Sequence, residues 1–203
     1  MFIPSSRSND LTFSRNSVTA IENTKINNLQ NNTEIDNNIF DIYSSYPNPL
    51  FIDKHKSCFT NNKVNLNGAW KMVLMISGEE PETVAGNTFN LKAGTGNIER
   101  VIFINTPTPG VAVALENNTF SGSESQKNAV MVCVANAGLH ILTLDNNSAD
   151  KNTGVFLDVI SPVRYACFVN NHTKCTEGFL TERSLRFIEE HYSCSNSQLP
   201  DNE

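Results

Sequence analysis

From residue 64 onward the chain alternates apolar and polar positions in short bursts. "GAWKMVLMI", "NTFNLKA", "ERVIFIN", "GVAVALE", "AVMVCVA", "LHILTLD", "GVFLDVI" and "VRYACFV" follow one another, separated by Gly, Pro, Asn, Asp and Ser clusters such as "AGTGN", "TPTPG" and "DNNSADKNTG". A period of two over such runs is the mark of a strand with one buried face, and the clusters are turn formers. Eight strands at short spacing, with almost no helix among them, predict hairpin after hairpin: an antiparallel up-and-down meander closing into an eight-stranded β-barrel.

The period then changes. "TEGFLTERSLRFIEEHY" sets Leu185, Ile188 and Tyr192 at helical spacing, with Glu182 early and His191 late, as a helix dipole favours, so one C-terminal α-helix is expected after the last strand. Residues 1–62 show the opposite of a sustained pattern. "NNLQNNTEIDNNIF" is polar and Asn-rich and "SSYPNPLF" adds two prolines, which predicts a largely disordered tail, 1–62, ahead of a barrel domain, 63–203. The aromatic island "IFDIYSSYPNPLF" is a candidate for docking a protein partner from that tail.

Gly68-Ala69-Trp70 opens the first predicted strand. With the eight-strand pattern and the following helix, it resembles the lipocalins and the wider calycin superfamily over roughly residues 64–192. The resemblance implies that the glycine permits a tight start to the strand, that Trp70 plugs the closed end of the barrel, and that the interior carries a small ligand. The late-strand pattern of that family survives only as Tyr165 and Ala166 in "ISPVRYA". Its arginine over the tryptophan has Arg164, Arg183 and Arg186 as candidates.

Composition narrows the function classes. The chain has 203 residues, 39% hydrophobic and 18% charged, with a net charge of −6. Its Lys and Arg are scattered without a run, so no nucleic-acid or anionic-membrane partner is expected. No stretch approaches the roughly 18 apolar residues of a membrane span. The opening "MFIPSSRSNDLTFSRNSVTAI" lacks a signal-peptide core, so localisation stays open between cytoplasm, if the N-terminus is complete, and secretion, if it is not. Four N-x-[ST] triplets, at Asn31, Asn117, Asn146 and Asn171, carry no weight in a chain so rich in Asn, Ser and Thr.

Five cysteines are present. Cys133, inside "NAVMVCVANA", reads as a small core hydrophobe. Cys167 with Cys175, and Cys58 with Cys194, are the disulfide candidates, against free thiols in a reducing compartment. No zinc spacing, P-loop, dinucleotide fingerprint or nucleophile elbow occurs, so no metal and no cofactor is expected. His140 and Asp158, polar residues in apolar strands, are the one candidate acid/base pair.

The resulting expectation is a non-enzymatic carrier of a small hydrophobic molecule, held inside the barrel. Its lining would be Trp70, Met72, Leu74, Ile76, Phe103, Val113, Met131, Cys133 and Tyr165. The alternative is a β-barrel or β-sandwich protein-interaction module with a filled core.

Overall fold

A computed structural model describes residues 11–20, 26–29, 33–43, 51–53, 57–79, 81–92, 97–123, 126, 128–135 and 139–192. Among them every strand pairs in parallel, and never with its neighbour in sequence. Thr88–Leu91 pairs with Lys63–Leu66 on one side and Thr119–Gly122 on the other. Trp70–Ile76 lies between Phe51–Asp53 and Ile98–Ile104. Among the described residues, each full coil gives one strand to each of three sheets. The first sheet has eight strands, from Leu11–Ser14 to Ile188–Tyr192; the second has seven, from Ser17–Ala20 to His172–Thr173; the third has six, from Ile26–Leu29 to Val155–Val159. This is a parallel β-solenoid, a quasi-one-dimensional stack in which each coil buries its apolar face against the next.

The bend between the first and second sheets shows why the chain coils instead of folding back. It consists of two residues. The first is left-handed: Asn37, Asn61, Asn117, Asn146 and Asn170 sit at φ of 49 to 55°, with Arg15 at 58° and Gly86 at 67° in the same role. Asn and Gly tolerate that region better than any other residues. The second is always asparagine, at 16, 38, 62, 87, 118, 147 and 171, and its side chain points inward to build a ladder. Asn118 Oδ1 accepts the backbone N–H and the Nδ2 of Asn87 at 3.1 and 3.0 Å, while Asn118 Nδ2 reaches Val84 O at 2.8 Å and Asn147 Oδ1 at 3.0 Å. The same set repeats from Asn38 to Asn147. A buried amide with all its partners costs little, whereas one left without them costs kilocalories, so the ladder holds each bend in register with the next.

Inside, a column of phenylalanines runs along the coil axis. Phe13, Phe40, Phe51, Phe59, Phe89, Phe120, Phe156 and Phe179 touch in succession with ring centroids 5.0–6.4 Å apart, and Phe168 closes on Phe179. Val64, Leu66, Val84, Leu91, Leu115 and Leu144 fill around them. Aromatic neighbours at this spacing add to burial.

Four expectations are overturned by this architecture. The sheets are parallel, so there is no antiparallel eight-stranded barrel and no lipocalin-like closed end for Trp70 to plug. Alternation points correctly to β-structure, but it reports a buried face and not the strand that pairs with it. The tail of residues 1–62 is not disordered as a whole: Thr33–Asp36, Ile39–Ile42 and Ser57–Thr60 are strands, and Ile35, Phe40, Ile42 and Phe59 are at most 1% exposed. Their asparagines read as polar filler but are bend residues. Finally, the C-terminal helix is absent. Ser184–Arg186 forms a single 3₁₀ turn and Ile188–Tyr192 joins the first sheet beside Val163–Val169, because an open sheet edge offers more partners than an isolated amphipathic helix. Leu185, expected on the buried face of that helix, is 62% exposed.

Candidate functional site

The nine residues expected to line a cavity do not converge. Trp70, Leu74, Ile76, Val113 and Met131 are packed in the solenoid core, each at most 1% exposed. Tyr165 is half-buried in the first sheet, with the Arg164 guanidinium 5.1 Å from its ring centroid. Phe103 and Cys133 do come together, on the third sheet, where Met75, Phe103, Cys133 and Asp158 are laterally paired in successive strands, while Met72 pairs with Arg100. Met72, Met75 and Phe103 are half-buried.

This stripe ends in a polar cluster. The Asp158 side chain is 5% exposed and receives Arg183 Nε at 2.8 Å, a second contact from Arg183 Nη2, and Thr181 Oγ1 at 3.0 Å. Ser184 Oγ accepts the N–H of Val159 at 2.7 Å. Burial by itself would raise the Asp158 pKa, but the hydrogen bonds from Arg183 and Thr181 outweigh it and hold the carboxyl below its ordinary range. Desolvation pushes the Cys133 thiol up to about 11, against the opposing pull of the nearby Arg100. A buried, protonated thiol is a poor nucleophile, and Asp158 with Arg183 and Thr181 forms a structural clasp between consecutive coils. Asp158 is thus committed to Arg183, and the His140 side chain lies outside the described residues.

The cysteine pairs also change. Cys175 is a free, half-buried thiol that receives Thr153 Oγ1 at 3.2 Å, and Cys167 is disulfide-bonded, so the expected Cys167–Cys175 bridge is not formed. Cys58 is exposed, and Cys194 lies outside the described residues. No group of His, Cys, Asp or Glu among the described residues is placed to hold a metal ion. No helix among them is long and apolar enough to cross a membrane.

A different face is built for contact. Counting from each ladder asparagine, the next residue and the third point outward on the second sheet. They form two rows: Ser17, Ile39, Lys63, Thr88, Thr119, Ser148, His172, and Thr19, Asp41, Asn65, Asn90, Ser121, Asp150, Lys174. All fourteen are exposed or half-buried, and only Ile39 is apolar. In the second row the side chains bond to each other across coils. Asn65 Nδ2 donates to Asp41 Oδ1 at 2.7 Å, Asn90 Nδ2 to Asn65 Oδ1 at 2.6 Å, and Ser121 Oγ to Asn90 Oδ1 at 2.7 Å. Parallel pairing fixes the spacing at the strand separation, about 4.8 Å. The outcome is an outer ladder on an open surface, with amide and hydroxyl groups already oriented.

None of the residues of this face stands out in the sequence as a candidate. The available signal is the recurrence of "RN", "NN" and "GN" pairs, whose second residues lie 22–31 positions apart, each followed by an outward-inward-outward triplet. No family model matches the chain, and no curated protein or solved structure matches it. Residue roles therefore rest on geometry.

Proposed function

We propose that the chain is a non-catalytic binding module that holds an extended polysaccharide along the outer face of its second sheet. This keeps the binding role expected from the sequence and moves the ligand from the interior to the surface. The supporting observation is the outer ladder Asp41–Asn65–Asn90–Ser121. Side chains held by one another lose little further freedom when a ligand docks, which is the main cost of polar recognition. A sugar ring is about as long as the strand spacing, so a glycan laid along the coil axis meets an equivalent set of donors and acceptors on each coil. Thr88, Thr119 and Ser148, in the adjoining row, supply further hydroxyls. Open, repeated surfaces of this kind suit a polymer better than a small molecule, which needs concave burial.

The test is retention on a panel of immobilised polysaccharides by affinity electrophoresis. Wild-type protein is expected to be retarded by at least one member of the panel. The double variant Asn90→Ala/Ser121→Ala is expected to lose roughly tenfold or more in affinity while keeping its far-UV spectrum. Retardation by no polysaccharide, or equal retardation of the folded double variant, overturns the proposal.

A further inference from the structure

Resting on the polysaccharide reading, we infer that the bound glycan is anionic, carrying carboxylate groups. The chain as a whole has a net charge of −6, yet its charges are not spread evenly over the coil. The first sheet carries Glu34, Asp36, Glu116 and Asp145 at outward or half-buried positions, against the exposed Arg164. Facing away from the core of the second sheet are Lys63, Lys92, His172 and Lys174, all exposed.

Two carboxylates share this face and keep their charge while accepting hydrogen bonds from neutral donors, so three lysines stand against two aspartates. Asp41 Oδ1 accepts the Asn65 amide at 2.7 Å. Asp150 accepts the backbone N–H of Gly122 at 3.2 Å and that of Asn152 at 2.9 Å. Lys63, Lys92 and Lys174 make no ion pair among the described residues. Scattered in sequence, the lysines share one face of the coil: Lys63 and Lys92 at the third and fourth of its seven strands, His172 and Lys174 at the seventh. Strand counting puts Lys63 four spacings from Lys174, roughly 19 Å. Between them lie the neutral donors and acceptors Thr88, Asn90, Thr119, Ser121 and Ser148, and Asp150, whose carboxylate is turned to the backbone N–H groups of Gly122 and Asn152. A polymer with acidic groups recurring along a hydroxyl-rich backbone satisfies both parts at once; a neutral glycan leaves the cations solvated and gains nothing from them.

The inference is checked with two probes that share a backbone and differ in charge, carboxymethyl-cellulose and hydroxyethyl-cellulose. The intact chain is titrated with each at low and high ionic strength. Carboxymethyl-cellulose is expected to bind roughly tenfold or more tightly at low salt, with the advantage collapsing at high salt, as screening requires. The variant Lys63→Gln/Lys92→Gln/Lys174→Gln is expected to lose that advantage and retain the residual affinity for the neutral probe. Equal binding of both probes, indifferent to the lysines, overturns the anionic assignment and leaves polysaccharide binding standing. Binding of neither probe, nor of any glycan in the panel, removes both. Duplex DNA binding as tightly as carboxymethyl-cellulose, with the same dependence on the lysines, overturns the glycan in favour of a generic polyanion surface.

Discussion

Two ladders of hydrogen-bonded side chains run along this solenoid, and they differ in one respect. The inner ladder, Asn38–Asn62–Asn87–Asn118–Asn147, is at most 1% exposed; the outer one, Asp41–Asn65–Asn90–Ser121, is half-buried. Both have similar bond lengths and the same repeat. Burial decides what each is worth. In the inner ladder an amide has no water to fall back on, so each bond is obligatory and the ladder belongs to the fold. In the outer ladder water can replace a lost partner, so the bonds set orientation more than stability, and the groups remain open to a ligand.

The sharpest way to break this comparison is at its most buried rung. Replacing Asn118 by Leu keeps the volume roughly and removes every side-chain bond. The backbone N–H of Asn87, one Asn87 amide hydrogen and the Val84 carbonyl then lose their partner in a site without water. At about 1–3 kcal/mol for each orphaned group, the loss is on the order of 4 kcal/mol, a large share of the stability of a domain. Urea unfolding monitored by far-UV circular dichroism gives the number. A loss under about 1 kcal/mol would mean that the inner ladder is decoration and that the Phe column alone sets the register.

The inner ladder also explains what the sequence can and cannot disclose. Trp70–Ile76, Ile98–Ile104 and Val111–Glu116 are legible as strands: Val111–Glu116 alternates strictly, and the other two alternate less strictly, with Val73–Leu74 and Val101–Ile102 both buried. Their direction is not, since parallel and antiparallel neighbours impose the same alternation. Pairs such as Asn37-Asn38 and Asn61-Asn62 have the composition of a disordered segment, and only their recurrence marks them as bends. Even the N-x-[ST] triplets at Asn117 and Asn146 follow from this grammar: a left-handed Asn, a ladder Asn, then the outward Thr119 or Ser148 of the next strand. Asn65, Asn90 and Ser121 are illegible as a site because membership depends on position within a repeat whose period varies with loop length.

Between the two ladders in burial stands the Asp158–Arg183 clasp, with the carboxylate 5% and the guanidinium side chain 57% exposed. Arg183→Ala should accordingly cost an intermediate amount, about 1–2 kcal/mol at neutral pH, discounted because half of the pair is in contact with water. The pH dependence has a definite sign. The folded-state pKa of Asp158 lies below the ordinary value of 3.8, so its stabilising contribution is complete above that value and is lost as pH falls through the depressed one. Wild-type stability should therefore decline more steeply than that of Asp158→Asn below about pH 4, by equilibrium unfolding across an acid series. Parallel declines would show that the clasp carries no titratable stability.

The smallest effect on stability, and the one most informative about function, is expected at Asn90. It donates to Asn65 at 2.6 Å and accepts from Ser121 at 2.7 Å, so it holds the centre of the outer ladder. Removing it by Asn90→Ala leaves the Asn65 carbonyl and the Ser121 hydroxyl within reach of solvent, and the cost should stay below about 1 kcal/mol. Orientation suffers more than energy. With the central amide gone, Asn65 and Ser121 regain rotamer freedom that a docking glycan must remove again, at about 0.5–1.5 kcal/mol for each side chain, and the glycan also forgoes whatever hydrogen bonds the Asn90 amide itself would give it. Asn90→Ala is thus expected to unfold at nearly the wild-type urea midpoint and to bind polysaccharide several-fold more weakly, whereas Asn118→Leu shifts the midpoint. The decisive measurement is the pair of values, midpoint and affinity, on one protein preparation. If Asn90→Ala lowered stability as much as Asn118→Leu, the outer ladder would be a second structural ladder and the division of labour between the two would fall.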